Sequence, residues 1–156
     1  MTVERFPTLH GESLSRRPFE IPGGLEGNRN LVFVAFLQHQ QRDIDRWMAA
    51  LGDAEHTYPG LCVYEVPLLR RYPHMYRRMI DGGMRAGIPD PKTRDRTITV
   101  YTDRGEFLRT IGLPDEGSIW VVLLDRAGTI LWSHIGALTD DALPSLQGAL
   151  GRAPGP

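Results

Sequence analysis

Seven consecutive apolar residues, Leu31–Leu37 (LVFVAFL), interrupt the mixed polar and apolar first third of this chain. A run with no polar side predicts a strand covered on both faces, as in a sheet flanked by helices. The polar turn Gln38–Arg42 follows. Ile44, Trp47, Met48 and Leu51 then recur at i, i+3, i+4 and i+7, an amphipathic helix that ends before Gly52. Leu61–Val66 (LCVYEV) is the next strand, entered through Tyr58, Pro59 and Gly60. Ile98–Thr102 is another, with Thr102 or Asp103 capping a short helix that runs through Ile111. Trp120–Asp125 (WVVLLD), the turn Arg126–Gly128 and Thr129–Gly136 (TILWSHIG) predict a hairpin. Thr139 as N-cap, Asp140 and Asp141 at the positive end of the dipole, and the stripe Leu143, Leu146 and Leu150 predict a closing helix.

Proline and glycine set the remaining boundaries. Pro7, Gly11 and Pro18 interrupt residues 1–18, which are expected to form an extended arm. Phe19–Ile21 is a short edge strand closed by Pro22, Gly23 and Gly24. A second helix is placed from near Pro73 to Gly82 and Gly83, with Tyr72, Met75, Tyr76 and Met79 facing the sheet. Gly87–Asp95 (GIPDPKTRD) is expected to be a loop, and residues 151–156 a disordered tail. One domain over residues 19–150 results. Strands alternating with helices imply crossovers and parallel pairing, and the hairpin adds an antiparallel pair. The fold class is therefore α/β: a mixed sheet of about five strands, helices on both faces, a closing hairpin and a C-terminal helix.

Composition narrows the function classes. The chain has 156 residues and a net charge of −1, so no overall field points to nucleic acid. The charge is uneven: Arg70, Arg71, Arg77, Arg78, Arg85, Lys92, Arg94 and Arg96 outnumber Asp81, Asp90 and Asp95 between residues 69 and 96. Arg, Tyr and Met are enriched at protein interfaces, and this segment mixes all three, so a protein partner there is an expectation. Lys92 is the only lysine, which with the Gly, Pro and Ala content suggests a GC-rich bacterial genome. No segment has the length and apolarity of a membrane span, and the first residues lack the apolar core of a secretion signal; a cytoplasmic location is expected.

Three segments resemble the thioredoxin and peroxiredoxin superfamily. Leu31–Leu37 and its helix resemble the strand that leads into the active-site helix. Ile98–Asp103 with its short helix resembles the segment ahead of the closing hairpin in peroxiredoxin-type members. Leu124-Asp125-Arg126-Ala127-Gly128-Thr129-Ile130, closed by Gly136, is similar to the I-D-x-x-G-x-I hairpin of the group. The resemblance implies a thioredoxin-like fold with a reactive cysteine in the turn after the first apolar strand and a cis-proline facing it. This chain has Gln38, His39, Gln40, Gln41 and Arg42 in that turn, and Ser118 or Ile119 at the proline's place. A strand followed by a helix bearing Trp47 is also distantly similar to the mitochondrial ATP-synthase assembly-factor family.

Cys62 is the only cysteine, so an intramolecular disulfide and a dithiol couple are both excluded. It lies mid-strand, where a small buried apolar residue is expected rather than a reactive thiolate. His10, His39, His56, His74 and His134 show no helical or zinc-type spacing, so neither metal nor cofactor is called for. The expected function is a binding or assembly module without redox chemistry, which points away from an enzyme. Two alternatives stay open: an oxidoreductase using Cys62, and a non-thiol enzyme or small-anion binder at the vestigial groove. Candidate groove residues are Gln38, His39, Gln40, Gln41, Arg42, Ser118 and Ile119, because a helix N-terminus offers unpaired N–H groups to an anion. Candidate partner-surface residues are Arg70, Arg71, Arg77, Arg78 and Arg85.

Overall fold

The computed structural model describes residues 3–70 and 74–152, and of residues 74–77 the backbone alone. One seven-stranded sheet organises the molecule. Its strands are β1 (Leu9–Ser13), β2 (Pro18–Ile21), β3 (Arg29–Ala35), β4 (Leu61–Leu69), β5 (Ile98–Tyr101), β6 (Trp120–Asp125) and β7 (Ile130–Ile135), in the spatial order β2-β1-β5-β4-β3-β6-β7. The helices are α1 (Gln41–Leu51), α2 (Ala54–Thr57), α3 (His74–Gly87), α4 (Pro91–Arg96), α5 (Arg104–Ile111) and α6 (Ala142–Leu150), and a 3-10 turn at Gln38–Gln40 leads into α1.

β3 pairs parallel with β4 and antiparallel with β6, and β6 pairs antiparallel with β7 in the closing hairpin. All seven residues of β3 are buried, which accounts for the apolar stretch Leu31–Ala35 within it. Its side chains alternate between two cores. Val32, Val34 and Phe36 join Phe6, Phe19, Tyr64, Ile98, Phe107 and Trp120 on one face. Leu31 and Phe33 join Ile44, Trp47, Leu61, Val121 and Leu146 on the other. Trp47 is fully buried, packs on Phe33, Trp132 and His134, and donates its indole N–H to the Gly136 carbonyl at 3.4 Å.

The structure departs from the predicted pattern in four places. The sheet has seven strands, because Leu9–Ser13, read as part of the extended arm, pairs with both β2 and β5. Gly11 misled that reading. It is no breaker here: a Cβ at this position would stand 2.6 Å from the Thr99 carbonyl oxygen, so glycine lets β1 and β5 approach. Helix α3 continues through Gly82 and Gly83 to Gly87, since tertiary placement outweighs the modest cost of glycine in a helix. Met79, assigned to the sheet-facing stripe, is 68% exposed; Tyr72 and Pro73 and the side chains of Met75 and Tyr76 lie outside the described residues. The segment expected to be a loop, Gly87–Asp95, is helical from Pro91, where α4 begins. Asp90 caps that helix by accepting from Thr93 N–H, and Pro91 occupies its first turn, both ordinary helix-start chemistry.

Buried polar groups fix the ends of the elements. Arg29, 6% exposed on β3, donates to the carbonyls of Ala149, Leu150 and Arg152 at 3.3, 2.7 and 2.9 Å. A cation thus closes the carbonyl-rich end of α6, where the helix dipole favours it. At the other end of α6 the Thr139 hydroxyl accepts from Ala142 N–H at 3.2 Å, although the helix proper starts three residues after Thr139.

Candidate functional site

The turn between β3 and α1 is where the family resemblance places reactivity. Gln38 and His39 are exposed on the 3-10 turn, and Gln41 and Arg42 are exposed at the start of α1. Gln40 is different: it is 1% exposed. Its Oε1 accepts from Phe36 N–H at 2.8 Å and Leu37 N–H at 3.1 Å. Its Nε2 donates to the Glu116 carbonyl at 2.7 Å. A primary amide suits this place because it accepts through one end and donates through the other.

Arg104, from the start of α5, completes the arrangement. Its guanidinium donates to the Phe36 carbonyl and pairs with the Glu116 carboxylate at 3.1 Å, with only 9% of its side chain exposed. Phe36, Gln40, Glu116 and Arg104 therefore form a closed polar ring that ties the end of β3 to the loop before β6. The sequence reading named Gln40 but missed Glu116 and Arg104. Nothing in residue spacing links positions 36, 104 and 116; only the crossovers bring them together.

Beyond the ring, Ile119 is fully buried and Ser118 half-buried. Ile119 offers its carbonyl to Gly136 N–H at 2.8 Å, and the peptides at both positions are trans. Gln41 reaches Asp45 at 3.0 Å and Glu65 at 3.5 Å. Burial pushes the Glu65 carboxyl above its usual range; the Gln41 hydrogen bond opposes this and the nearby Asp45 charge adds to it.

Of the basic segment, Arg70 and Arg78 are exposed and Arg85 is half-buried, whereas Arg71 and the Arg77 side chain lie outside the described residues. Arg94 and Arg96 face inward. Arg94 donates to the Arg85 carbonyl at 2.9 Å, and Arg96 pairs with Glu55 at 3.2 Å and lies over the Tyr64 ring. Part of the local positive charge thus serves internal contacts.

Cys62 is half-buried rather than fully covered. It sits on β4, packed against the core beside α4. Arg96 Nη2 lies 3.5 Å from its Sγ. Burial pushes the thiol pKa up, Arg96 pulls it back, and Glu55 and Glu26 raise it further; the net direction is upward. Cys62 has the cationic neighbour of a reactive thiol without the lowered pKa.

These elements have counterparts in solved structures. A putative thiol:disulfide interchange protein DsbE from Chlorobium tepidum superposes with a TM-score of 0.59 at 16% identity, over 97% of this chain and 100% of that one. BsSco, a member of the Sco family of cytochrome c oxidase assembly proteins, gives 0.56 at 13% identity, over 96% and 97%. The pneumococcal exposed lipoprotein thioredoxin Etrx1 from Streptococcus pneumoniae gives 0.53 at 14%, over 92% and 98%. The fold is thioredoxin-like. No protein-family model matches the chain, and no curated protein matches it in sequence. A thioredoxin-like chain with a single cysteine holds no Cys-x-x-Cys pair, so whatever it does, it does without an intramolecular dithiol. Among the described residues no helix is long and apolar enough to cross a membrane.

Proposed function

We propose that this protein is a thioredoxin-like binding or assembly module that works without thiol turnover. The observation that carries the reading is Gln40. A reactive site at the end of β3 needs open backbone donors and a nucleophile; here the Phe36 and Leu37 amides are both held by one buried side chain. The same contacts take the Phe36 and Leu37 amides out of reach of any ligand in that groove, leaving a small anion only the N–H groups at the start of α1.

The partner surface we favour is the outward face of α3 and its flanks. Met79 is 68% exposed there, an apolar anchor within a segment rich in arginine. An acidic protein partner fits that composition.

One observation favours a second reading, a single-thiol oxidoreductase: Arg96 at 3.5 Å from the Cys62 sulfur would stabilise a thiolate. Incubation with oxidised glutathione separates the two. In the binding-module reading Cys62 stays reduced by intact-mass measurement, since its raised pKa leaves little thiolate to attack. Prompt formation of the mixed disulfide, with release of one reduced glutathione, supports the thiol enzyme instead.

A further inference from the structure

A polar cleft of about 580 Å³ lies between α3 and the sheet strands β1 and β5, away from the Gln40 ring and from Cys62. Strand alternation builds its floor. Glu12 stands directly across from Thr99 in the β1–β5 register, and His10 and Tyr101 lie two residues along on the same side, opposite to Ile98 and Val100 in the core. Helical spacing builds its roof: Arg78, Asp81, Gly82 and Arg85 fall at i, i+3, i+4 and i+7 on one face of α3. Tyr101 donates its hydroxyl to Asp81 at 2.7 Å, tying roof to floor.

The cleft carries an unsatisfied group. Thr99 is 2% exposed, and its hydroxyl oxygen finds no hydrogen-bond partner among the described residues. Buried polar atoms are nearly always paired, and an orphan on the wall of a cleft points to a ligand that pairs it. A rotation of about 120° about the Cα–Cβ bond carries the hydroxyl into the place now held by the methyl or by the Cβ hydrogen, so it can turn to such a ligand.

We propose that this cleft binds a small hydroxy- or amino-carboxylate, with its acid group against Arg78 and Arg85 and its polar remainder over Thr99, Glu12 and Asp81. Guanidinium groups suit a carboxylate because they donate in a planar fork. Glu12 and Asp81 among the lining favour a ligand that also donates, through a hydroxyl or an ammonium. The volume lies in the range typical of small-molecule sites. The site does not depend on the fate of the thiol.

The test uses malate, serine and inorganic phosphate as probes at millimolar concentration, with amide resonances of residues 10–13 and 98–101 as readout. Malate or serine should shift those resonances at lower concentration than phosphate does. Thr99→Val keeps the shape and removes the hydroxyl; it should weaken that binding about tenfold or more while leaving the melting temperature equal or higher. Gly82→Leu projects into open space, because a Cβ there meets nothing within 4 Å, so the fold persists and the cleft fills. It should abolish binding. Three outcomes overturn the proposal: no shift with either malate or serine, equal binding by Thr99→Val, or phosphate binding as tightly as malate.

Discussion

Replacing Gln40 by alanine strips two buried amides and one carbonyl of their partners. A loss of about 2–4 kcal/mol in unfolding free energy follows, measurable by urea denaturation. Gln40→Glu keeps an acceptor for Phe36 and Leu37 but, when ionised, cannot donate to Glu116; it should fall between wild type and Gln40→Ala. Glu65 supplies a pH effect of known sign. Its carboxyl pKa is raised in the folded state, so the folded protein holds that proton more tightly than the unfolded chain. The contribution is fully present below the carboxyl's ordinary pKa and is lost as pH rises through the raised value. Glu65→Gln should therefore flatten the pH dependence of stability on the acidic side and stabilise the protein at neutral pH, as thermal melts across that range would show. The sequence alone pointed to Gln40 as one of five polar residues in a turn. Its separate role was illegible, because the burial of this glutamine depends on Glu116, 76 positions along the chain.

At the scale of elements, the apolar runs announced β3, β4, β6 and β7 because strands buried on one or both faces must be apolar in period one or two. β1 was hidden for the opposite reason. Its inward positions are Leu9, Gly11 and Ser13, too small and mixed to show alternation, and Gly11 there answers to the neighbouring backbone rather than to a turn. α3 overran its glycines for a related reason, and this gives a prediction. A Cβ at Gly83 meets nothing within 4 Å, so Gly83→Ala should stabilise the protein by about 0.5–1 kcal/mol through helix propensity alone. Arg29 works against the opposite kind of change. Arg29→Met keeps the apolar stem but frees three carbonyls at the end of α6, and should cost about 2–4 kcal/mol with local loss of amide protection in residues 146–152.

The whole molecule joins a thioredoxin-like sheet to a closed polar ring at the end of β3. The end of β3, the start of α1 and the loop before β6 converge, as the resemblance implied, and what meets there is an amide, a guanidinium, a carboxylate and three peptide units. That convergence was legible in the order of strands and helices. The ring itself and the cleft under α3 were not, because both depend on pairs of residues more than sixty positions apart, which periodicity does not relate. The lone thiol sits on a separate wall, raised in pKa and half-buried, beside a cation that already pairs with Glu55. The central claim is that this fold here acts without thiol turnover. Its most direct test is insulin reduction by dithiothreitol and peroxide consumption, each measured for the wild type and for Cys62→Ser. The account predicts rates equal to the protein-free reaction for both proteins. A wild-type rate well above that background, abolished by Cys62→Ser, would contradict it.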